Sequence, residues 1–330
     1  MPIIPVFFTF DRNYVVAAAV TIYSLLKKSS PEFEYQLYVL HTELTTSDEK
    51  KLQKIVCKFS NASLSFINVS SYDPSGYVFT EKAHYSKEIF YKLIVADIFP
   101  QYDRIICSDV DVLFAGDISE SYFLFENQFF YFAGVGEVES DDPRMDYYRQ
   151  YFVEDEIKIL EKEIAAGYLL INLKAIRDNQ KQKELTNFYV NNYQRLLFPE
   201  QDCIILCCWP AIKYLPLKYV VLNNYYRWNV AKIDFNQEYD YLRGDKKLAI
   251  DKFNEALKSP VQIHYVGNLK PWNSLFIPKQ DLWIKELIDS GFLCEFIKKL
   301  PVFIYQRIKI CSFKRFLLKM KQSVLQNKKK

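Results

Sequence analysis

Short apolar runs in this chain alternate with stretches in which apolar residues recur every three or four positions. Pro5–Phe10 reads as a strand ending at Asp11-Arg12-Asn13-Tyr14. Val15 to about Leu26 carries the helical period and closes on Lys27-Lys28-Ser29-Ser30-Pro31, cations and then a breaker. Gln36–Leu40 and Leu64–Val69 predict further strands, and Ser47–Phe59 and Ser86–Ile98 further helices. This alternation with short links predicts an α/β fold built on a parallel, doubly wound, Rossmann-like nucleotide-binding sheet. Downstream, Phe129–Gly134 is strand-like and the acidic, Tyr-rich Glu137–Tyr151 reads as loop and helix. Ala165–Leu173 predicts a strongly apolar strand after a small-residue turn, Gln182–Leu197 a helix, and Pro199 the start of another.

One run stands apart. Arg104–Phe114 contains a short apolar segment, Ile105-Ile106-Cys107, of the kind that fills a buried parallel strand. It delivers Asp109 and Asp111 just beyond its carboxyl end, where open α/β sheets place ligands. Residues i and i+2 of an extended chain point the same way, so both carboxylates can face one point. Hard anionic oxygens converging there suit Mg²⁺ or Mn²⁺. An isolated Asp-x-Asp is as readily a solvated turn, so the remaining residues have to decide.

Among 330 residues, half are apolar and 17% aromatic, a globular composition with ample core. Seven Cys without a disulfide framework, and an N-terminus lacking the basic and apolar regions of a signal peptide, predict free thiols and a cytoplasmic protein. Cys203, Cys207 and Cys208 fall on the predicted Pro199 helix with no nearby His, so they are expected to be buried small hydrophobes, not zinc ligands. The chain holds only eight Gly, and they form neither a dinucleotide Gly-x-Gly-x-x-Gly nor a Walker loop. Phosphates bound here would need a cation, which Asp109 and Asp111 would hold. Two rivals share an Asp-x-Asp. A HAD-type phosphatase would need an acidic pair downstream, for which Asp141-Asp142 is present but not behind a buried strand. The other is a non-catalytic nucleotide-sugar-binding protein.

Five stretches in order resemble glycosyltransferase family 8, which includes bacterial lipopolysaccharide galactosyl- and glucosyltransferases and glycogenin. They are Phe-Asp-Arg-Asn-Tyr14, Asp109-Val110-Asp111, Ala-Gly-Tyr-Leu-Leu-Ile-Asn-Leu173, Glu-Gln-Asp202 and His264-x-x-Gly-x-x-Lys-Pro-Trp272. The resemblance runs from Val6 to Trp272. It implies a GT-A fold with a mixed sheet flanked by helices, and a retaining hexosyltransferase that moves galactose or glucose from a UDP-hexose to a glycan such as lipopolysaccharide. Mn²⁺ is the implied cofactor, with Mg²⁺ the alternative. Asp109, Asp111 and His264 would bind the metal, and an imidazole ligand favours Mn²⁺. Gly267 would let backbone approach the diphosphate, and Lys270 would neutralise it and so aid departure of UDP. Thr9, Asp11, Asn13 and Tyr14 would meet uridine, with Val110 beside the nucleotide, and Lys92 would reach toward the diphosphate and donor sugar. Gln201 matches the residue beneath the sugar, and Asp202 would help position that sugar. A neutral amide is a poor nucleophile, which favours attack on the face that UDP leaves. The chain departs from the family at Ala165, where Asn is usual, and at Glu200, where Asp is usual; both concern the donor sugar. Acceptor recognition is expected from Val78–Ser86 and Glu137–Phe152.

The charge is unevenly placed. Residues 301–330 hold nine of the 43 Lys and Arg and none of the 40 Asp and Glu, so the preceding body is mildly acidic. From Phe313, apolar residues Phe316, Leu317, Met320 and Val324 recur at three- and four-residue spacing between cations. That pattern predicts residues 1–282 as the catalytic domain and 283–330 as a basic, amphipathic helical extension attached to an anionic membrane surface. It implies a peripheral enzyme on the cytoplasmic face of the inner membrane. The acidic body makes nucleic acid a poor partner.

Overall fold

A computed structural model describes residues 1–72, 87–138, 144–235 and 245–327, the last fifteen as backbone only. The opening elements follow the hydrophobic pattern. They are β1 (Ile3–Thr9), α1 (Val15–Lys28), β2 (Glu34–His41), α2 (Thr46–Val56) and β3 (Ala62–Asn68). Helix α2 begins on a reciprocal cap: Asp48 N–H donates to Thr45 Oγ1, and Thr45 N–H to Asp48 Oδ2. The predicted helix at Ser86–Ile98 is instead a 3₁₀ stretch, Lys87–Leu93, followed by the single turn α3 (Val95–Ile98).

Next come β4 (Arg104–Ser108), β5 (Val112–Phe114), α4 (Ser119–Phe123), β6 (Phe132–Gly136), α5 (Arg144–Tyr151), α6 (Glu154–Leu160) and β7 (Ile164–Asn172). They are followed by α7 (Leu173–Asp178), α8 (Lys181–Asn192), α9 (Pro199–Cys208), β8 (Ile212–Tyr214), β9 (Val221–Leu222), α10 (Lys246–Lys258) and β10 (Gln262–His264). Two helices complete the chain, α11 (Gln280–Ser290) and α12 (Leu293–Asn327). Helix α8 stops five residues before the expected Leu197, because the backbone turns there to donate from Leu197 and Phe198 to the Asp202 carboxylate. The expected domain boundary at 282/283 falls inside α11.

The main sheet runs β3-β2-β1-β4-β7-β6-β8. The first four strands are parallel, as the alternation predicts, but β7 pairs antiparallel with both β4 and β6. The sheet is therefore mixed, as the resemblance to family 8 implies, with its parallel part in the opening strands. Alternating residues of each strand feed two cores. Val6, Phe8 and Ile106 meet α1, α2 and α11 on one side, while Phe7, Ile105 and Cys107 meet α8 and α9 on the other. Cys203, Cys207 and Cys208 are free and buried in the second core. A small sheet, β5-β10-β9, lies at the carboxyl end of β4.

Candidate active site

Two antiparallel pairings assemble the site. The β4–β7 register sets Ser108 opposite Tyr168, so Asp109 N–H donates to the Gly167 carbonyl at 3.1 Å. The β5–β10 register sets Val112 opposite His264, and Tyr265 N–H donates to the Asp111 carbonyl at 3.0 Å. The intervening Val110 is buried, and its carbonyl and that of Val112 both accept the Thr21 hydroxyl from α1, at 2.8 and 2.9 Å. The loop between β4 and β5 is thus clamped on three sides, and its carboxylates converge as the i, i+2 spacing predicts. His264 Nε2 lies 3.2 Å from Asp111 Oδ1 and 3.9 Å from Asp109 Oδ2.

Ligand atoms of Asp109, Asp111 and His264 lie within 4.8 Å of one another, the single such His/Cys/Asp/Glu group among the described residues. Two carboxylate oxygens and one imidazole nitrogen are a donor set that fits a borderline-hard divalent ion. The backbone makes room for it. A Cβ on Gly167 would stand 2.6 Å from His264 Nδ1, so only glycine lets β7 pass this close to the imidazole. This requirement was not visible in the Ala-Gly-Tyr run, where the small residues read as a turn.

Two lysines bracket the acids. Lys92, from the 3₁₀ stretch, is 1% exposed and reaches Asp109 Oδ1 at 2.7 Å, the Ala166 carbonyl at 3.0 Å and Glu200 Oε1 at 3.5 Å. Burial opposes its charge, but the Asp109 and Glu200 carboxylates outweigh burial and hold its pKa above the ordinary lysine value. Lys270 Nζ contacts Asp111 Oδ2 and the Tyr265 carbonyl, both at 2.5 Å. Burial alone would raise the Asp111 pKa, yet Lys270 and His264 carry it well below the usual carboxylate range. Gly267 takes φ +75°, and no atom lies within 4 Å of where a Cβ would sit, so its backbone faces open space.

The first-strand motif is brought to the same rim. Tyr14 packs edge-on against Trp272, and its hydroxyl pKa is pushed up by burial first and then by Asp111, Asp11 and Asp109. Asp11 caps the turn that follows it by accepting Asn13 N–H at 2.7 Å. Thr9 differs from expectation. Its hydroxyl is buried and donates to the Glu88 carbonyl, fastening the Lys92 segment to β1 instead of facing the rim.

Gln201 and Asp202 separate. Gln201 accepts Ala166 N–H at 3.1 Å through Oε1, which aims the side chain at β7 beside Lys92. Asp202 is wholly buried, accepting Tyr148 O–H at 2.6 Å and the backbone of Leu197 and Phe198. Both its oxygens are taken, so Asp202 is not brought to the site and fixes the start of α9 instead. Glu200 leaves its buried Oε2 without a hydrogen-bond partner, and burial raises its pKa although Lys92 opposes this. Of the expected acceptor segments, Val78–Ser86 and the 139–143 part of Glu137–Phe152 lie outside the described residues, as do Asp141 and Asp142. A groove of about 1370 Å³ between β8 and α10 is lined by none of the expected site residues.

The model of glycosyl transferase family 8 matches residues 5–275. General stress protein A of Bacillus subtilis (strain 168) is 25% identical over 275 residues, 80% of this chain and 85% of that protein. The galactosyltransferase LgtC, solved with donor and acceptor sugar analogs, superposes with a TM-score of 0.67 at 17% identity, covering 87% of this chain and 96% of LgtC. The bifunctional glycosyltransferase WbbM superposes with a TM-score of 0.69 at 22% identity over 90% of this chain, which spans about half of WbbM (52%).

Proposed function

Because the chain belongs to glycosyl transferase family 8 and has the GT-A fold, we propose that it is a retaining hexosyltransferase that moves galactose or glucose from a UDP-hexose to a cell-surface glycan such as lipopolysaccharide, with Mn²⁺ as cofactor. The observation that carries this reading is the meeting of Asp109, Asp111, His264, Lys92, Lys270 and Gly267 at one rim. A HAD-type phosphatase is not favoured, because the family whose model matches residues 5–275 is glycosyl transferase family 8.

Asp109, Asp111 and His264 would hold the metal, which when bound supplies Lewis-acid stabilisation to the departing diphosphate. The chain's own groups do the rest. Lys270 is placed to exchange its contact with Asp111 for the diphosphate, and the open backbone at Gly267 lets phosphate oxygens come close. Lys92 stays charged in the interior and sets the position of Asp109. Tyr14 offers a ring beside Trp272 for the uracil, on a turn held by Asp11.

What lies under the sugar bears on how retention, as proposed, would proceed. Gln201 is neutral, and Asp202 is buried with both oxygens engaged, so neither is a nucleophile. Attack on the face that UDP leaves is therefore favoured, with the amide of Gln201 steadying the positive charge that develops on the sugar. The departures at Ala165 and Glu200 bear on which hexose is accepted. A lipid-linked acceptor, the basic residues 301–330 and a site on the cytoplasmic face of a membrane complete the reading. The test is a panel of UDP-sugars with Mn²⁺ and a glycolipid acceptor, followed by NMR of the product anomer. An α-linked product from an α-donor is expected; a β-linked product overturns the retaining assignment.

A further inference from the structure

We propose that Glu163 is a positioning residue for Gln201: its carboxyl shares a proton with Asp202 and so ties the entry of β7 to the start of α9. The proposal rests on the reading of Gln201 as the group beneath the donor sugar.

Glu163 immediately precedes β7 and is 2% exposed. Its Oε2 accepts Arg144 of α5 at 2.6 Å, while its buried Oε1 meets no donor. A buried carboxyl oxygen without a donor is costly, and the neighbouring acid shows how the cost is met. Asp202 of α9 lies within hydrogen-bond reach of Glu163. An ionised carboxylate offers about four lone-pair sites. Asp202 uses three of them, for Tyr148 O–H and the N–H groups of Leu197 and Phe198. A proton on Glu163 fills the fourth site and gives Oε1 its bond.

The surrounding charges agree. Among the described residues the pair is faced by Arg144 and Tyr148 from α5 and by Glu137 just beyond β6. Three acids stand there around one guanidinium, so two buried anions in contact would repel. Burial first, and then Asp202, push the Glu163 pKa well above the usual carboxylate range, although Arg144 opposes them. Burial raises Asp202 as well, but the bonds from Tyr148, Leu197 and Phe198 favour its anion. The shared proton therefore belongs on Glu163.

Register links this pair to Gln201. Gln201 and Asp202 are neighbours on α9. Gln201 Oε1 accepts Ala166 N–H at 3.1 Å, and Asp202 meets Glu163, three residues before Ala166. Both bonds span the same junction, so the shared proton sets how closely Gln201 stands to β7. Loss of that proton would part the two elements where Gln201 sits.

The test uses the full-length protein and two variants. In Glu163→Gln the amide N–H donates to Asp202 and the amide oxygen accepts Arg144, so the bridge is kept with no proton to lose. Glu163→Ala removes it. The alanine variant should lose about tenfold or more in kcat for UDP-hexose hydrolysis, with KM unchanged because Lys270 and Asp111 are untouched. Glu163→Gln should restore kcat to within about twofold of wild type. Thermal melts read the proton separately from activity. Wild type takes up a proton at Glu163 on folding, so it loses stability as pH rises from the unfolded glutamate pKa toward the folded one, and Glu163→Gln does not. The melting temperature of Glu163→Gln relative to wild type should therefore climb between about pH 5 and about pH 9. A difference that stays constant with pH overturns the shared proton. Wild-type kcat in a folded Glu163→Ala protein, or a tenfold loss in Glu163→Gln, overturns the positioning role. Absence of UDP-hexose hydrolysis by wild type would overturn the reading of Gln201 and this role with it, while the melts would still decide the proton.

Discussion

Replacing Gly167 by alanine is expected to damage the metal site with little harm to the fold. The added Cβ would lie 2.6 Å from His264 Nδ1, 2.7 Å from Cε1 and 3.4 Å from Asp109 Oδ2. Ordinary contact begins near 3.4 Å, so the imidazole must retreat by about 0.8 Å, several times the roughly 0.2 Å that ligand distances tolerate. The obstacle is a single side chain at the end of a three-residue strand, so overpacking should cost only about 1 kcal/mol, the low end for such changes. Losing correct placement of one ligand should weaken Mn²⁺ binding about 10- to 100-fold. Free Mn²⁺ can be followed by electron paramagnetic resonance during titration, alongside thermal melts. In a His264→Ala background the clash is gone, and Gly167→Ala should then change neither stability nor metal affinity. Wild-type Mn²⁺ affinity in the single Gly167→Ala variant would refute the reasoning.

Further outcomes follow from the same geometry. Lys92→Met leaves the buried Glu200 and the partly exposed Asp109 without their cation and should cost about 3 kcal/mol by chemical denaturation, with Lys92→Met/Glu200→Gln recovering part of it; a single variant as stable as wild type would show that the lysine is not the buried partner. Gln201→Ala should slow transfer and leave the product α-linked, and inversion by NMR would contradict same-face attack. The Asp48 pKa is lowered because hydrogen bonds from Thr45 and the Arg12 guanidinium outweigh burial. Its contribution is therefore present above the unfolded aspartate value and lost as pH falls below it. Asp48→Asn should accordingly cost about 1 kcal/mol at pH 7 and much less near pH 3 by urea melts; an equal cost at both would remove the assignment.

Much of the site was legible because its chemistry is carried by residue types at fixed spacing. The i, i+2 carboxylates do converge, with His264 beside them and Lys270 on Asp111. What stayed hidden depends on which strand lies beside which. Periodicity marks β7 as buried but carries no direction, so its antiparallel insertion between β4 and β6 was not readable. The reason for Gly167 exists only once that insertion brings it against His264. Lys92, expected to reach toward the diphosphate, is turned inward by the 3₁₀ stretch onto Asp109, and Asp202 reads as a site residue until Tyr148 and the α9 start claim it.

The proposed UDP-sugar chemistry depends on a metal held by Asp109, Asp111 and His264. Release of UDP from UDP-galactose and UDP-glucose, measured across a Mn²⁺ titration for wild type and Asp111→Ala, tests this dependence. Mn²⁺-dependent release by wild type and none by a folded Asp111→Ala protein is expected. Near-normal, metal-independent release by that variant would contradict it.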